Sequence, residues 1–242
     1  MNQRYLKRTI VKTTIKSTFL KEDREILIYL PPDYDEQSTY PALDLQDGDD
    51  YLNMGRAATQ ANRLILENEI EPMLMVAIPV DKRKRTMEYS PDGKLHEAYL
   101  QFFISELLPE IESNFPIDPS PQSRVVGGSS LGGTVSLHLA LNYPEYFSRV
   151  LSQSGAFLKT TSEQIAQCDS LDRLTIYQSI GLAETKVPTS FGDIDLVLRN
   201  REISNQLQNK RARVYYREKE GNHTWGFWQK DLPEAFMTFF SK

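Results

Sequence analysis

The chain has 242 residues, 40% of them hydrophobic and 25% charged, which is the composition of a soluble globular protein long enough to bury a core without staples. A formal net charge of −5 leaves no basic footprint for nucleic acid, so no nucleic-acid partner is expected. The one cysteine, Cys168, excludes an intrachain disulfide and a cysteine zinc cluster, and reads as a small core or loop thiol.

The first residues, MNQRYLKRTIVKTTIK, are basic but hold no apolar run long enough for a signal peptide. No stretch reaches membrane-spanning length, so no membrane partner is expected and the chain reads as cytoplasmic. Residues 8–19 and 24–30 alternate and are rich in β-branched side chains, which predicts an antiparallel pair joined at Lys21-Glu22-Asp23. Residues 42–46 and 73–80 are short apolar runs, the second nearly continuous, as in a strand buried on both faces. Between them, 56–68 has helical spacing, with Ala57, Ala61, Leu64 and Ile65 on one side. Residues 97–112 are also helical by period, with a kink or break expected at Pro109.

A strand at 124–126, a glycine-rich loop and a helix at 131–142 follow, and then strands at 148–153, 173–179 and 212–217 alternate with helices at 195–209 and 230–240. Strands that alternate with helices predict an α/β fold, a mostly parallel sheet covered on both faces. With no internal repeat or linker, residues 1–242 read as one domain. Residues 156–172 and 182–194 are irregular enough to form pocket walls.

The glycine-rich loop Val126–Thr134, VGGSSLGGT, decides the chemistry. From Gly127 it nearly spells a phosphate loop, but Gly133 stands where the lysine is required. From Gly128 it spells G-x-S-x-G between a strand and a helix, the context of a nucleophile elbow. Ser130 is then the nucleophile, at a helix N-terminus whose dipole and free N–H groups favour an oxyanion. The N–H of Leu131 is one natural oxyanion donor.

A serine hydroxyl needs a base, and there are three histidines. His138 lies eight residues into the following helix, roughly 12 Å along its axis at about 1.5 Å per residue, and reads as structural. His96 precedes the serine, against the chain order serine, acid, histidine, and reads as a surface or pocket-rim residue. His223, in a loop after a late strand, is the base. The acid belongs between the strand at 173–179 and His223, and the candidates are Glu184, Asp193 and Asp195. Asp193 fits a helix N-cap and Asp195 the first helical turn, so Glu184 is favoured. A second oxyanion donor is expected in Gln46–Asp50, at the N–H of Gly48 or Asp49. The three aspartates of that loop lack the wider ligand set of a metal site.

These residues resemble the putative-esterase family of α/β-hydrolases, which includes esterase D-like and enterochelin esterase-like enzymes. The resemblance runs over nearly the whole chain: Ile28–Tyr34, Tyr40–Asp49, Arg85–Pro91, Phe103–Pro109, the elbow Gly128–Gly132, Ser154-Gly155 and the histidine loop Gly221–Trp225. It implies an α/β-hydrolase fold of about eight mostly parallel strands, with Ser130 as nucleophile, His223 as base and a carboxylate in Gly181–Glu184. Relatives often carry aspartate at that position, where this chain has glutamate. The pocket segment starting at Arg85 implies substrate contacts from Arg85, Glu88 and Tyr89, and the histidine loop adds Trp225. The run Lys82-Arg83-Lys84-Arg85 allows a basic pocket rim for an anionic ester.

The expected function is a serine carboxylester hydrolase acting on small acyl esters, with a small-molecule ester as partner and no cofactor or metal. A trilactone siderophore esterase, or acyl transfer on the same triad, is the enzymatic alternative. A non-catalytic hydrolase-fold binding protein is the alternative of another class, and it would normally lack the serine or the histidine, both of which are present.

Overall fold

The structure is a computed structural model, and it describes residues 3–189 and 192–242. Ser190 and Phe191, within the expected wall segment 182–194, lie outside the described residues.

β1 (Thr9–Ser17) and β2 (Glu22–Leu30) pair antiparallel from Thr9↔Leu30 to Ser17↔Glu22. The turn falls earlier than expected, because Lys21 takes a left-handed conformation (φ 56) and Leu20 donates its N–H to Ser17 Oγ at 2.9 Å. β3 (Ala42–Gln46), β4 (Leu74–Ile78), β5 (Arg124–Ser129), β6 (Arg149–Gln153) and β7 (Thr175–Gly181) are almost wholly buried, as their apolar runs require. A short hairpin, β8 (Val187–Thr189) with β9 (Gly192–Ile194), stands outside the main sheet, and β10 (Arg213–Lys219) closes its far edge.

The eight-stranded sheet has the order β1-β2-β4-β3-β5-β6-β7-β10, and it is parallel from β4 onward. The chain runs from β3 out to β4, then returns past β3 to β5 and continues the other way. The crevice at the carboxyl ends of β3 and β5 is therefore the switch point where open α/β sheets bind ligands.

Helices cover both faces. α1 (Gly48–Asn53), α2 (Ala57–Leu66) and α9 (Trp225–Phe240) pack on one core with Leu43, Leu45, Met75 and Ala77. α4 (His96–Phe102), α5 (Leu108–Asn114), α6 (Leu131–Asn142), α7 (Lys159–Gln167) and α8 (Leu196–Asn209) pack on the other, with Leu74, Val76 and Ile78. Residues of β4 thus alternate between the two cores with the period of two that a strand imposes. α3 (Arg85–Tyr89) is a short helix after β4.

Four local expectations change. The Gln46–Asp50 loop is cut short, because α1 starts at Gly48. The helix expected at 97–112 contains a π segment, Phe103–Leu107, before Pro109 in the first turn of α5. Proline has no N–H to give, so the ladder widens ahead of it rather than breaking. α7 lies inside the segment 156–172 expected to be irregular. The last helix begins at Trp225 rather than 230 and contains Pro233. Pro233 cannot donate to Gln229 four residues back, and the Gln60 side chain donates to that carbonyl instead, at 3.0 Å.

His96 and His138 are both buried, with ring centroids 5.4 Å apart, and His138 Nε2 meets Thr161 Oγ1 at 2.9 Å. Burial first, and then the neighbouring His96, pull the His138 pKa from 6.5 down to about 3. The unfolded chain therefore holds more protons between those values, and stability is lost as pH falls through this window. His138→Gln, which can keep the Thr161 bond, is expected to flatten the dependence of the urea midpoint on pH between about 6.5 and 4. A slope equal to that of the wild type would place the acid sensitivity elsewhere.

Candidate active site

β5 ends at Ser129, and α6 starts at Leu131, so one residue makes the whole strand-to-helix reversal. That residue, Ser130, has φ 56 and ψ −124, a conformation that non-glycine residues rarely adopt. Its N–H donates to Gln153 O at 2.9 Å, and its carbonyl accepts from Ala156 N–H at 3.1 Å. Gly128 has no room for a side chain: a Cβ there would lie 2.7 Å from the Gly132 carbonyl carbon and 2.9 Å from Gln46 Cβ.

The loop after β10 brings His223 to Ser130, with Nε2 3.0 Å from Ser130 Oγ. Its Nδ1 lies 2.7 Å from Glu184 Oε2. A carboxylate only accepts, so Nδ1 carries the proton and Nε2 is left to accept from the serine hydroxyl. Glu184 is fully buried, and its other oxygen accepts from Gly181 N–H at 2.9 Å and from Ser154 Oγ–H at 2.7 Å. The other two acids sit elsewhere. Asp195 caps α8 by accepting from Leu198 N–H at 2.8 Å, and Asp193 faces Lys186 at 3.4 Å.

The expected oxyanion donors lie at helix starts. Leu131 opens α6, and Gly48 and Asp49 open α1, where N–H groups have no partner inside the helix. Gly48 packs against the end of β4, where a Cβ would lie 2.3 Å from the Ala77 carbonyl carbon. Asp47, just before it, has φ 52 and donates its N–H to Tyr89 Oη at 3.1 Å.

The basic run does not form an open cationic rim. Arg83 pairs with Asp81 at 2.7 Å, Lys84 with Glu22, and Lys82 with Asp50 at 2.7 Å. Arg85 holds both oxygens of Asp47, at 2.7 and 2.8 Å. Glu88 is not placed to touch a substrate, since it is fully buried in an ion pair with Arg24 at 2.9 Å. Tyr89 is equally buried, under the guanidinium of Arg85. Trp225 packs edge-on against Tyr51 and Trp228 and is not part of the cavity wall at Ser130. The expectation of substrate contacts from Glu88 and Tyr89 is corrected accordingly: both are fully buried, and their bonds make them supports. The described residues hold no group of three or more His, Cys, Asp or Glu that could bind a metal ion.

The cavity at the elbow has a volume of about 160 Å³, with Arg85, Ser130, Leu131, Leu158, Ile194 and His223 in its wall. A larger cleft of about 390 Å³ lies between α2 and α9, but its walls hold no serine, cysteine or histidine.

The family profile described as "Putative esterase" matches residues 17–239. The chain belongs to this esterase family. It is a carboxylic ester hydrolase of the α/β-hydrolase type. It is 34% identical to the uncharacterized protein YjcH of Bacillus subtilis (strain 168), over 94% of this chain and 95% of that one. It is 25% identical to the acetyl esterase of Caldicellulosiruptor saccharolyticus, over 94% and 96% of the two chains. It is similar in fold to the enterobactin esterase of Shigella flexneri, with a TM-score of 0.82 and 23% identity. That match covers 96% of this chain and 58% of the other, so the chain spans little more than half the length of that esterase.

The sequence reading missed one member of this arrangement, the hydroxyl of Ser154. Ser154 follows β6 with φ 51, and its hydroxyl accepts from Trp228 Nε1–H at 2.9 Å while it donates to Glu184. The Trp228 ring packs edge-on against His223, with centroids 5.0 Å apart. In sequence Ser154-Gly155 stands out only as one segment of the family resemblance; the pairing of the Ser154 hydroxyl with residues 30 and 74 positions away carries no local signal.

Ser154→Ala leaves a buried indole N–H without an acceptor and takes one donor from Glu184. Such a loss costs about 1–3 kcal/mol. Urea unfolding followed by tryptophan fluorescence is expected to show a lower midpoint. An unchanged midpoint would mean that both groups find other partners.

Proposed function

We propose that the protein is a serine carboxylester hydrolase for small acyl esters, with Ser130 as nucleophile, His223 as general base and acid, and Glu184 as the carboxylate that orients the imidazole. The observation that carries this reading is the continuous hydrogen-bonded chain Ser130–His223–Glu184 at a strained strand-to-helix turn. Strain of this kind persists only where the surroundings over-determine it, and it clusters at functional sites.

Ser130 Oγ attacks the ester carbonyl carbon while His223 Nε2 takes its proton. The carbonyl oxygen becomes an oxyanion, held by the N–H of Leu131 and by an N–H of the Gly48–Asp49 turn. The imidazolium, stabilised by the buried Glu184, protonates the leaving alkoxide as the C–O bond breaks. Water then attacks the acyl-serine, His223 takes its proton, and collapse of the second oxyanion returns the proton to Ser130 and frees the acid.

The cavity volume supports a small acyl group, since about 160 Å³ is well below the 300–1,000 Å³ usual for drug-sized ligands. The near full-length likeness to an acetyl esterase points the same way. A bulky siderophore is less well served. The cations that would meet its anionic groups are already paired with carboxylates, and the enterobactin esterases match over little more than half their length.

The test is hydrolysis of p-nitrophenyl acetate, butyrate and octanoate by the wild type and by Ser130→Ala. We expect kcat/KM to fall from acetate to octanoate, and Ser130→Ala to lose about 10⁴-fold or more. Equal activity in Ser130→Ala would sink the assignment of the nucleophile. A maximum at octanoate would sink the small-acyl reading. A wild type that neither hydrolyses these esters nor reacts with a serine-directed phosphonate would overturn both the nucleophile and the small-acyl substrate class.

A further inference from the structure

Arg85 was expected to meet substrate, but its bonds lead somewhere else. Its Nε and Nη2 grip the two oxygens of Asp47 at 2.7 and 2.8 Å, and Nη2 also donates to Ser129 O at 3.2 Å. Asp47 immediately precedes Gly48 and Asp49, and Ser129 immediately precedes Ser130 and Leu131. One guanidinium thus joins the two chain segments whose N–H groups would hold the oxyanion. We propose that Arg85 is a positioning residue, a clamp that sets the distance between the two halves of the oxyanion hole. This inference rests on the serine-esterase reading above.

Three further observations carry it. First, Asp47 sits in the left-handed region (φ 52), which a non-glycine residue holds only if fixed from outside. α3 supplies two of the fixings, Tyr89 Oη at the Asp47 N–H and Arg85 at the carboxylate, and Lys82 just ahead of it adds a single contact to Oδ1 at 3.3 Å. Second, α3 is itself anchored to β2 by the buried Glu88–Arg24 pair, with bonds of 2.9 and 3.2 Å. The family segment Arg85–Tyr89 is therefore one bracket, with Glu88 held by the sheet and Arg85 and Tyr89 holding the turn. Third, the Asp47 carboxylate lies against the elbow itself. A Cβ on Gly132 would come within 3.2 Å of Asp47 Oδ2.

The clamp needs arginine. Its planar fork presents two parallel N–H groups to a carboxylate and keeps another for Ser129 O, whereas lysine offers one ammonium point. The Asp47 side chain is 3% exposed and that of Arg85 21%, so the pair is held largely out of water, where its geometry is stiff. Burial alone would ease proton loss from Arg85; the charge and hydrogen bonds of Asp47 outweigh it and hold the guanidinium above its usual pKa. Nη1 is left outside these bonds, and the competing role for Arg85 is to meet an anionic substrate group with it.

The experiment uses two esters with one leaving group, neutral p-nitrophenyl acetate and anionic mono-p-nitrophenyl succinate. They are compared in the wild type, Arg85→Lys, Arg85→Gln and Asp47→Asn. Rates are counted per phosphonate-titrated serine, which removes any difference in folded fraction. Loss of an oxyanion donor costs about 10²–10³-fold in kcat. A misplaced donor is expected to cost at least about 10-fold in kcat on both esters, with KM little changed and with lysine failing to rescue. Affinity for a methyl trifluoromethyl ketone, which forms the oxyanion, is expected to fall by the same factor as kcat/KM. Arg85→Gln with Asp47→Asn should lose little beyond either alone, because both act on one clamp.

A loss confined to the succinate and expressed in KM would make Arg85 a substrate ligand and overturn the proposal. So would unchanged kcat on the acetate in all three variants. If the wild type itself shows no esterase activity and no phosphonate labelling, the underlying reading of the site fails and takes the clamp with it. An active wild type with unaffected variants fails the clamp alone.

Discussion

Three adjacent strands of the sheet end in the same difficult way, and the site depends on it. β3, β5 and β6 are each followed by a non-glycine residue in the left-handed region: Asp47 (φ 52), Ser130 (φ 56) and Ser154 (φ 51). Each turns the chain off the sheet within one residue, so the side chain stands at the carboxyl edge instead of following the strand. Such residues persist only where surrounding bonds outweigh the strain. Those bonds are present. Ser130 N–H reaches Gln153 O, Ser154 N–H reaches Ser179 O, and Asp47 N–H reaches Tyr89 Oη. The first two extend the ladder one step past the strand ends, so the regular sheet itself holds the irregular residues.

A second constraint is the burial of negative charge beside these turns. Glu184 and Asp231 are almost wholly enclosed, and Asp47 nearly so, and each carboxylate has its own donors. Glu184 takes Gly181 N–H, Ser154 Oγ–H and His223. Asp231 takes Ser179, Gln153 and Tyr177 at 2.7–2.8 Å, with Lys219 beside it. Tyr51, from α1, adds a bond to Gln153 at 2.9 Å. A buried carboxylate needs such partners to offset its lost hydration, and these donor sets tie the ends of β6, β7 and β10 to α1 and α9.

The broad fold was legible in the sequence. The short apolar runs at 42–46 and 73–80 read as strands, the second as one with both faces covered, and the alternation with helices implied a parallel sheet. Local exceptions were not legible, because their causes are distant in sequence. α9 runs through Pro233 because Gln60 donates to the carbonyl that the proline leaves bare. The π segment before Pro109 is a compromise of the same kind within one helix.

For the site, composition and chain order determined the candidates: an elbow serine, one well-placed histidine of three, and an acidic residue after a late strand. Local rules could carry this because backbone strain, helix starts and glycine tolerance act over a few residues. Only the tertiary structure decided which side chains meet. It put Glu184 rather than Asp193 or Asp195 against His223 and brought in Ser154. It also turned Arg85 onto Asp47 and buried Glu88 and Tyr89. Charge pairing and burial are set by neighbours tens of residues away, and no local pattern of residue types encodes them.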